Sequence, residues 1–122
     1  MAATINLRVV DLFRGDRVAS FQKAADSGIW GIIHKATTGA TEKDKKYKDR
    51  RSLALKAGLL WGAYHWGTGA DVAKQVDNFI RTANPDDETL VALDYEDPDD
   101  IGSSSGFYGS CCCKARKKAC SL

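Results

Sequence analysis

Asp94 and Glu96 stand one residue apart at the end of a strongly apolar run, Thr89-Leu90-Val91-Ala92-Leu93. Side chains of a strand alternate between faces, so two acids at this spacing project side by side with Tyr95 turned away between them. An apolar run without alternation reads as a strand buried on both faces, the habit of a parallel sheet under helices. Such sheets carry their chemistry at the carboxyl ends of the strands. Paired acids there suit glycoside hydrolysis, in which one protonates the leaving oxygen and the other stabilises or attacks the sugar carbon. An apolar mouth and a neighbouring carboxylate both favour the protonated form that the acid needs. The competing reading is a strand that ends in solvated acids before the turn Asp97-Pro98-Asp99-Asp100.

The elements that would position these acids alternate along the chain. A strand is expected over residues 7–12, where the chain enters Val9-Val10-Asp11-Leu12-Phe13, a second apolar run carrying an acid. Val18, Phe21 and Ala25 recur at helical spacing over 16–26, with Gly28 as the C-terminal cap. A strand near 30–36 leads through Thr37-Thr38-Gly39 to a helix over about 42–57 that ends at Gly58. A third strand, 59–66, precedes a helix over 71–83 with Val72, Val76, Phe79 and Ile80 expected on one apolar face. Asn84-Pro85-Asp86-Asp87 breaks that helix before the strand of Asp94. Gly28-Ile29-Trp30-Gly31 and Gly58-Leu59-Leu60-Trp61-Gly62 echo one helix-to-strand junction. The pattern predicts an α/β fold with a parallel sheet, right-handed crossovers and all helices on one face.

Tyr64 and Trp66 lie two apart on the third strand and share a face, either as a sugar platform or as core aromatics. His65 then points toward the helices as a hydrogen-bonded core residue, and the two histidines make no metal motif. Asp11 is either a cavity acid or the cap of the Phe13-Arg14-Gly15 turn.

Four segments in order carry a resemblance: Asp11 ending a first strand, Lys35-Ala36-Thr37-Thr38-Gly39 after the second, Gly62-Ala63-Tyr64-His65-Trp66 on the third and Asp94-Tyr95-Glu96 on the fourth. Together, over roughly residues 5–98, they resemble glycoside hydrolase family 25, the muramidases that cleave peptidoglycan. The resemblance implies hydrolysis of the β-1,4 bond between N-acetylmuramic acid and N-acetylglucosamine, with no cofactor and no metal. It assigns Glu96 as general acid/base and Asp94 as the ionised partner, with Asp11 shaping the same cavity. Which acid orients the substrate's N-acetyl group stays open. Tyr64, Trp66 and Lys35 become substrate-binding residues. Thr38 departs from the family, whose members usually carry an acid there, and puts one substrate contact in doubt. The family's barrel has eight strands, so four strands and three helices imply a truncated (β/α) TIM-type barrel over 1–98. An unstructured Ser/Gly/Cys/Lys-rich tail over 99–122 is expected to add nothing to it. The rival reading is a non-catalytic remnant that at most binds wall glycan.

Composition narrows the alternatives. The chain has 122 residues, one domain by length. Residues 1–98 carry 14 basic and 14 acidic side chains, which argues against nucleic acid as partner. The net charge of +2 comes from Lys114, Arg116, Lys117 and Lys118 against Asp99 and Asp100. The basic run from Lys43 to Arg51 reads as a solvated helix face. No apolar run is long enough to span a membrane, and the N-terminus lacks the layout of a secretory signal, which leaves the localisation unknown. Cys111, Cys112, Cys113 and Cys120 cluster in the tail, where they can neither staple the body nor easily ligate zinc. The open edges of an incomplete barrel favour self-association.

Overall fold

The computed structural model describes residues 8–96 together with the backbone of residues 111–114. Expectations that fall on 97–110 and 115–122, including the Ser/Gly linker, lie outside the described residues. The element order is β1 (Val9–Leu12), α1 (Phe21–Asp26), β2 (Gly31–Thr38), β3 (Glu42–Lys43), α2 (Tyr47–Lys56), β4 (Leu60–Gly67), α3 (Val72–Ala83), β5 (Leu90–Tyr95) and β6 (Cys111–Lys114). The sheet runs β1-β2-β4-β5-β6, with β3 paired to β2. The pairs β1–β2, β2–β4 and β4–β5 are parallel, as the alternation of strand and helix predicts.

Two departures concern the strands. Residues 42–43 form a short antiparallel turn-back onto Thr37 and Thr38 rather than the start of a helix, so α2 begins only at Tyr47. Cys111–Lys114 pair antiparallel with Leu90–Leu93, so this part of the tail does join the sheet. The linker composition around it hid a four-residue strand too short for periodicity to reveal.

The helices sit where their polar caps allow. α1 is shorter than expected because Ser20 caps it, its side chain accepting from the Lys23 amide at 3.3 Å. Asp16, expected inside that helix, instead accepts from the Phe13 amide at 2.8 Å and closes the turn after β1. Asp71 caps α3 through the Lys74 amide at 2.9 Å. The two echoed junctions share one physical cause. At each, the glycine has positive φ (Gly28 101°, Gly58 79°), and the next residue's amide returns to the helix, Ile29 to Ala24 and Leu59 to Ala54. This is the Schellman ending, in which a left-handed glycine lets the last carbonyls find donors.

The core lies between the sheet and the helices: Phe21, Ile32, Tyr47, Ala54, Leu59, Trp61, Ala63, Phe79 and Ala83 are buried there. His34 is fully buried among them, stacked on Trp61 at 5.7 Å between ring centroids. Its Nε2 lies 3.1 Å from Arg50, which can only donate, so Nδ1 carries the proton and donates to the Lys35 carbonyl at 2.8 Å. Burial lowers the His34 pKa below its ordinary value against the opposing pull of that carbonyl, and the ring is neutral. The basic run is not a wholly solvated face. Asp44, Tyr47 and Arg50 within it are buried, and the Tyr47 hydroxyl bridges the Ala83 carbonyl and the Trp61 indole.

The buried face of α3 is rotated from the expected one. Gln75, Asn78, Phe79 and Ala83 are buried, while Val72, Val76 and Ile80 are 73 %, 54 % and 49 % exposed. α3 lies over β2 and β4, where polar partners for Gln75 and Asn78 await, and its Val/Ile stripe faces away from them. β5 is likewise not buried on both faces, since Leu93 is 41 % and Tyr95 45 % exposed. Phe79→Ala therefore costs about 3–5 kcal/mol of unfolding free energy, the range for a deleted core aromatic, and Val76→Ala changes it by no more than about 0.5 kcal/mol. Urea denaturation of both variants checks the contrast. Equal losses would return Val76 to the core.

Candidate functional site

Parallel register assigns the faces of the sheet. Trp61, Ala63 and His65 of β4 turn toward the helices and are buried. Gly62, Tyr64 and Trp66 therefore take the opposite, inner face. On β2, Ile33 and Lys35 pair with Gly62 and Tyr64 and share that face, as do Leu90, Ala92 and Asp94 of β5, opposite Gly62, Tyr64 and Trp66. Asp11 of β1, level with Ile33, completes the set. The glycine of the Gly62-Ala63-Tyr64-His65-Trp66 segment has a steric cause. A Cβ there would stand 3.1 Å from the Leu90 Cβ and 3.2 Å from the Ile33 Cγ1, so glycine lets three strands close beneath Tyr64 without pushing these neighbours aside by a few tenths of an ångström.

Asp11, Lys35, Tyr64, Trp66 and Asp94 thus gather at one end of one face. Tyr64 reports their proximity. Burial first, then the negative charges of Asp11 and Asp94, and more weakly those of Asp16 and Asp44, push its hydroxyl up from 10.0 to about 12. Asp94 is half-buried and Asp11 exposed. The alternative role for Asp11, capping the turn after β1, belongs to Asp16 instead. Lys35 holds its ammonium 5.2 Å from the centroid of the Phe13 ring and 6.0 Å from that of Trp66. Glu96 is the first residue past β5 and is exposed, rather than enclosed in an apolar mouth. The alternation that orients Asp94 thus ends one residue before it.

The loops that frame this face are tied down from the helix side. Arg50 of α2 donates to the Phe13 and Asp16 carbonyls at 2.9 and 2.6 Å, and Asp44 accepts the Arg14 amide at 2.8 Å, fixing the loop after Asp11. Asn78 of α3 donates to the Gly39 and Glu42 carbonyls at 3.1 and 3.2 Å, holding the loop after Lys35. Gln75 binds the Thr68 amide and the Thr68 and Ala70 carbonyls after Trp66. Its Oε1 accepts from His65 Nε2 at 3.0 Å, which leaves Nδ1 to accept from the Thr37 hydroxyl at 2.6 Å. His65 is therefore a buried strut between β4, β2 and α3, as expected of it.

Phe13, Arg50, Asn78 and Gln75 escaped the reading of the sequence. Phe13 was within reach, since it stands two residues after Asp11. The three helical residues carry no local signal, because only the packed fold tells which face of a helix is buried. A groove of about 510 Å³ between α2 and α3, lined by Arg51, Leu55, Arg81 and Asn84 among others, holds none of the candidate residues. Among the described residues no cluster of His, Cys, Asp and Glu could hold a metal ion.

The Tyr64 shift makes a pH prediction. With a folded pKa of about 12 against 10.0, the contribution of its hydroxyl to stability is fully present below pH 10.0 and is lost as pH rises toward 12. Ultraviolet titration of the phenolate should find Tyr64 ionising late in the parent, and earlier in Asp11→Asn and Asp94→Asn. An unchanged titration in both variants would separate the acids from Tyr64.

Comparison with known proteins bears on the family and the fold. Residues 10–121 match the family described as glycosyl hydrolases family 25, a span that runs beyond the expected limit near residue 98. The chain is 32% identical over 76 residues to an autolytic lysozyme of Clostridium acetobutylicum, covering 62% of this chain and 24% of that protein. Among solved structures, a family GH25 lysozyme from Aspergillus fumigatus superposes with a TM-score of 0.66 at 29% identity, over 72% of this chain and 46% of that one. A muramidase from Trichobolus zukalii gives 0.65 at 29% identity, over 83% and 48%. The chain thus spans less than half the length of these relatives. With the match covering nearly its whole length and the strand-end residues in register, the chain belongs to glycosyl hydrolases family 25.

Proposed function

We propose that the chain acts as a peptidoglycan hydrolase, a muramidase that cleaves the β-1,4 bond between N-acetylmuramic acid and N-acetylglucosamine. The observation that carries this reading is the register that sets Asp11, Tyr64, Trp66 and Asp94 on one face at the carboxyl end of a parallel sheet. Relatives named as lysozymes and muramidases support it. In this reading Glu96 protonates the departing glycosidic oxygen. Asp94 stays ionised and stabilises positive charge on the sugar carbon, directly or by orienting the N-acetyl group. Asp11 shapes the cavity floor. Tyr64 keeps its proton far above neutrality, and so can donate a hydrogen bond near the scissile bond throughout the working pH range. Trp66 offers a flat apolar surface to a sugar ring.

Turbidity clearing of purified cell walls tests the assignment. Glu96→Gln keeps the shape and removes the proton donor, and clearing should fall by roughly two or more orders of magnitude, the scale of general acid catalysis. Equal activity in parent and variant would remove Glu96 from this role, and an inactive parent would remove the hydrolase reading.

The open inner face supports association with a second copy. Val9 and Leu60 on that face are 47 % and 67 % exposed, and among the described residues β1 lies at the sheet's edge. An exposed strand edge beside apolar side chains favours pairing with another chain. A symmetric pair of copies would cover both inner faces. Sedimentation at micromolar concentration should find a concentration-dependent dimer that Leu60→Glu weakens. A monomer at every concentration would exclude it.

A further inference from the structure

His34 is a buried titratable group that the proposed reaction leaves unused. Its Nδ1 donates to the Lys35 carbonyl at 2.8 Å, and its Nε2 accepts from Arg50 Nη1 at 3.1 Å. The same Nη1 donates to the Phe13 carbonyl at 2.9 Å, and Nη2 donates to that of Asp16 at 2.6 Å. One guanidinium thus serves both the ring and the loop that leaves β1 just after Asp11. The arrangement suits one proton state. An added proton must go to Nε2, the atom that faces Arg50, because Nδ1 already carries one. Arg50 cannot give up a proton in exchange. The acceptor would become a donor, and two cations would stand 3.1 Å apart where solvent does not reach.

The surroundings do little to relieve that conflict. Asp16, from the loop after β1, and Asp44, from the turn before α2, are the carboxylates whose charge reaches the ring. Each is already turned to backbone amides, Asp16 to that of Phe13 and Asp44 to those of Arg14 and Lys46. Tyr47 of α2 meets the ring edge-on with its hydroxyl on the Ala83 carbonyl, and Trp61 of β4 stacks on it. Leu12 and Ala63, its neighbours on β1 and β4, carry no charge. We infer that His34 is a positioning residue that works as a proton-operated latch: neutral, it lets Arg50 hold the loop after Asp11, and protonated, it drives Arg50 off and frees that loop. The consequence for catalysis, a site kept assembled near neutrality and loosened in acid, rests on the hydrolase reading above. In the freed loop the ring is solvated and titrates near its ordinary 6.5, whereas burial keeps the held ring below that value. The hold is therefore complete above pH 6.5 and weakens as pH falls below it, by up to about tenfold per pH unit for one proton.

Amide hydrogen exchange of the whole chain, read residue by residue by NMR and corrected for the intrinsic pH dependence of exchange, tests the latch. The Arg14 and Asp16 amides, bonded to Asp44 and to the Phe13 carbonyl, report on the loop. Their protection should fall roughly three- to tenfold from pH 6.5 to about 5.5, while that of Ala63 and Trp66 in β4 holds. His34→Gln offers Arg50 an acceptor that does not titrate, and its loop protection should stay flat over the same range. Unchanged protection in the parent overturns the inference and leaves the hydrolase reading standing. An equal fall in His34→Gln overturns it too, and hands the effect to His65, Asp16 or Asp44. Should His34→Gln fail to fold, the imidazole resonances of the parent decide. The His34 ring must take up its proton in step with the loss of protection, and a ring that stays neutral while the loop opens overturns the inference. Cell-wall clearing near neutral pH and at about pH 5.5 reads the consequence, since the acid loss should be smaller in His34→Gln. Equal losses in parent and variant overturn the latch's role at the site. A parent inactive at both values removes the hydrolase reading, and the exchange data still decide the latch.

Discussion

A guanidinium buried between a helix and a sheet needs acceptors for its protons, and the arrangement around Arg50 follows from that need. Arg50 is 8 % exposed and is met by the Phe13 and Asp16 carbonyls and by His34 Nε2. A buried charge left without one of its partners costs about 3–5 kcal/mol, which is a large share of the stability of a small domain. The loop after β1 is thereby obliged to turn its carbonyls inward. His34 is obliged to be neutral with its proton on Nδ1, where it holds the Lys35 carbonyl. One cation thus fixes the exit of β1, which carries Asp11, and the backbone of β2 at Lys35. Asp16 and Asp44 complete the loop by capping the Phe13 and Arg14 amides.

The same design recurs at the other strands with neutral groups. Asn78 and Gln75 reach from α3 to the loops after β2 and β4, and their buried amides are satisfied only when those loops hold their shape. A buried polar group that is fully hydrogen-bonded adds little net stability, yet it penalises every alternative arrangement that leaves it unpaired. Loops are otherwise the least constrained part of an α/β fold. Here the helices pin the loops from beneath, and the inner face above them is free to carry the acids, the lysine and the aromatics.

The sequence makes the inner face legible because strand alternation is a strict rule. Asp94, Tyr64, Trp66, Lys35 and Asp11 all fall on the face that period two and parallel register require. Helix orientation is governed by a weaker rule. Val72, Val76 and Ile80 form an apolar stripe at helical spacing, yet it is Gln75, Asn78 and Phe79 that pack on the sheet. Polar side chains win that contest when specific partners wait on the sheet, and such partners are invisible until the strands are in place. The basic run that enters α2 reads as a solvated face for a related reason, since nothing local to it shows that Arg50 will find three acceptors on the neighbouring loop and strand.

These constraints also explain why the acids are not equivalent. Asp94 is held by strand geometry level with Trp66 and half-buried, within electrostatic reach of the Tyr64 hydroxyl. Glu96 lies one step past the last ladder pair, Gly67 with Tyr95, and is exposed. In the proposed reading, the acid assigned to stabilise charge on the sugar sits on the rigid element, and the acid assigned to protonate the leaving oxygen sits just past its end. Nothing in the D-x-E spacing alone distinguishes the two. Their surroundings separate only where the strand stops.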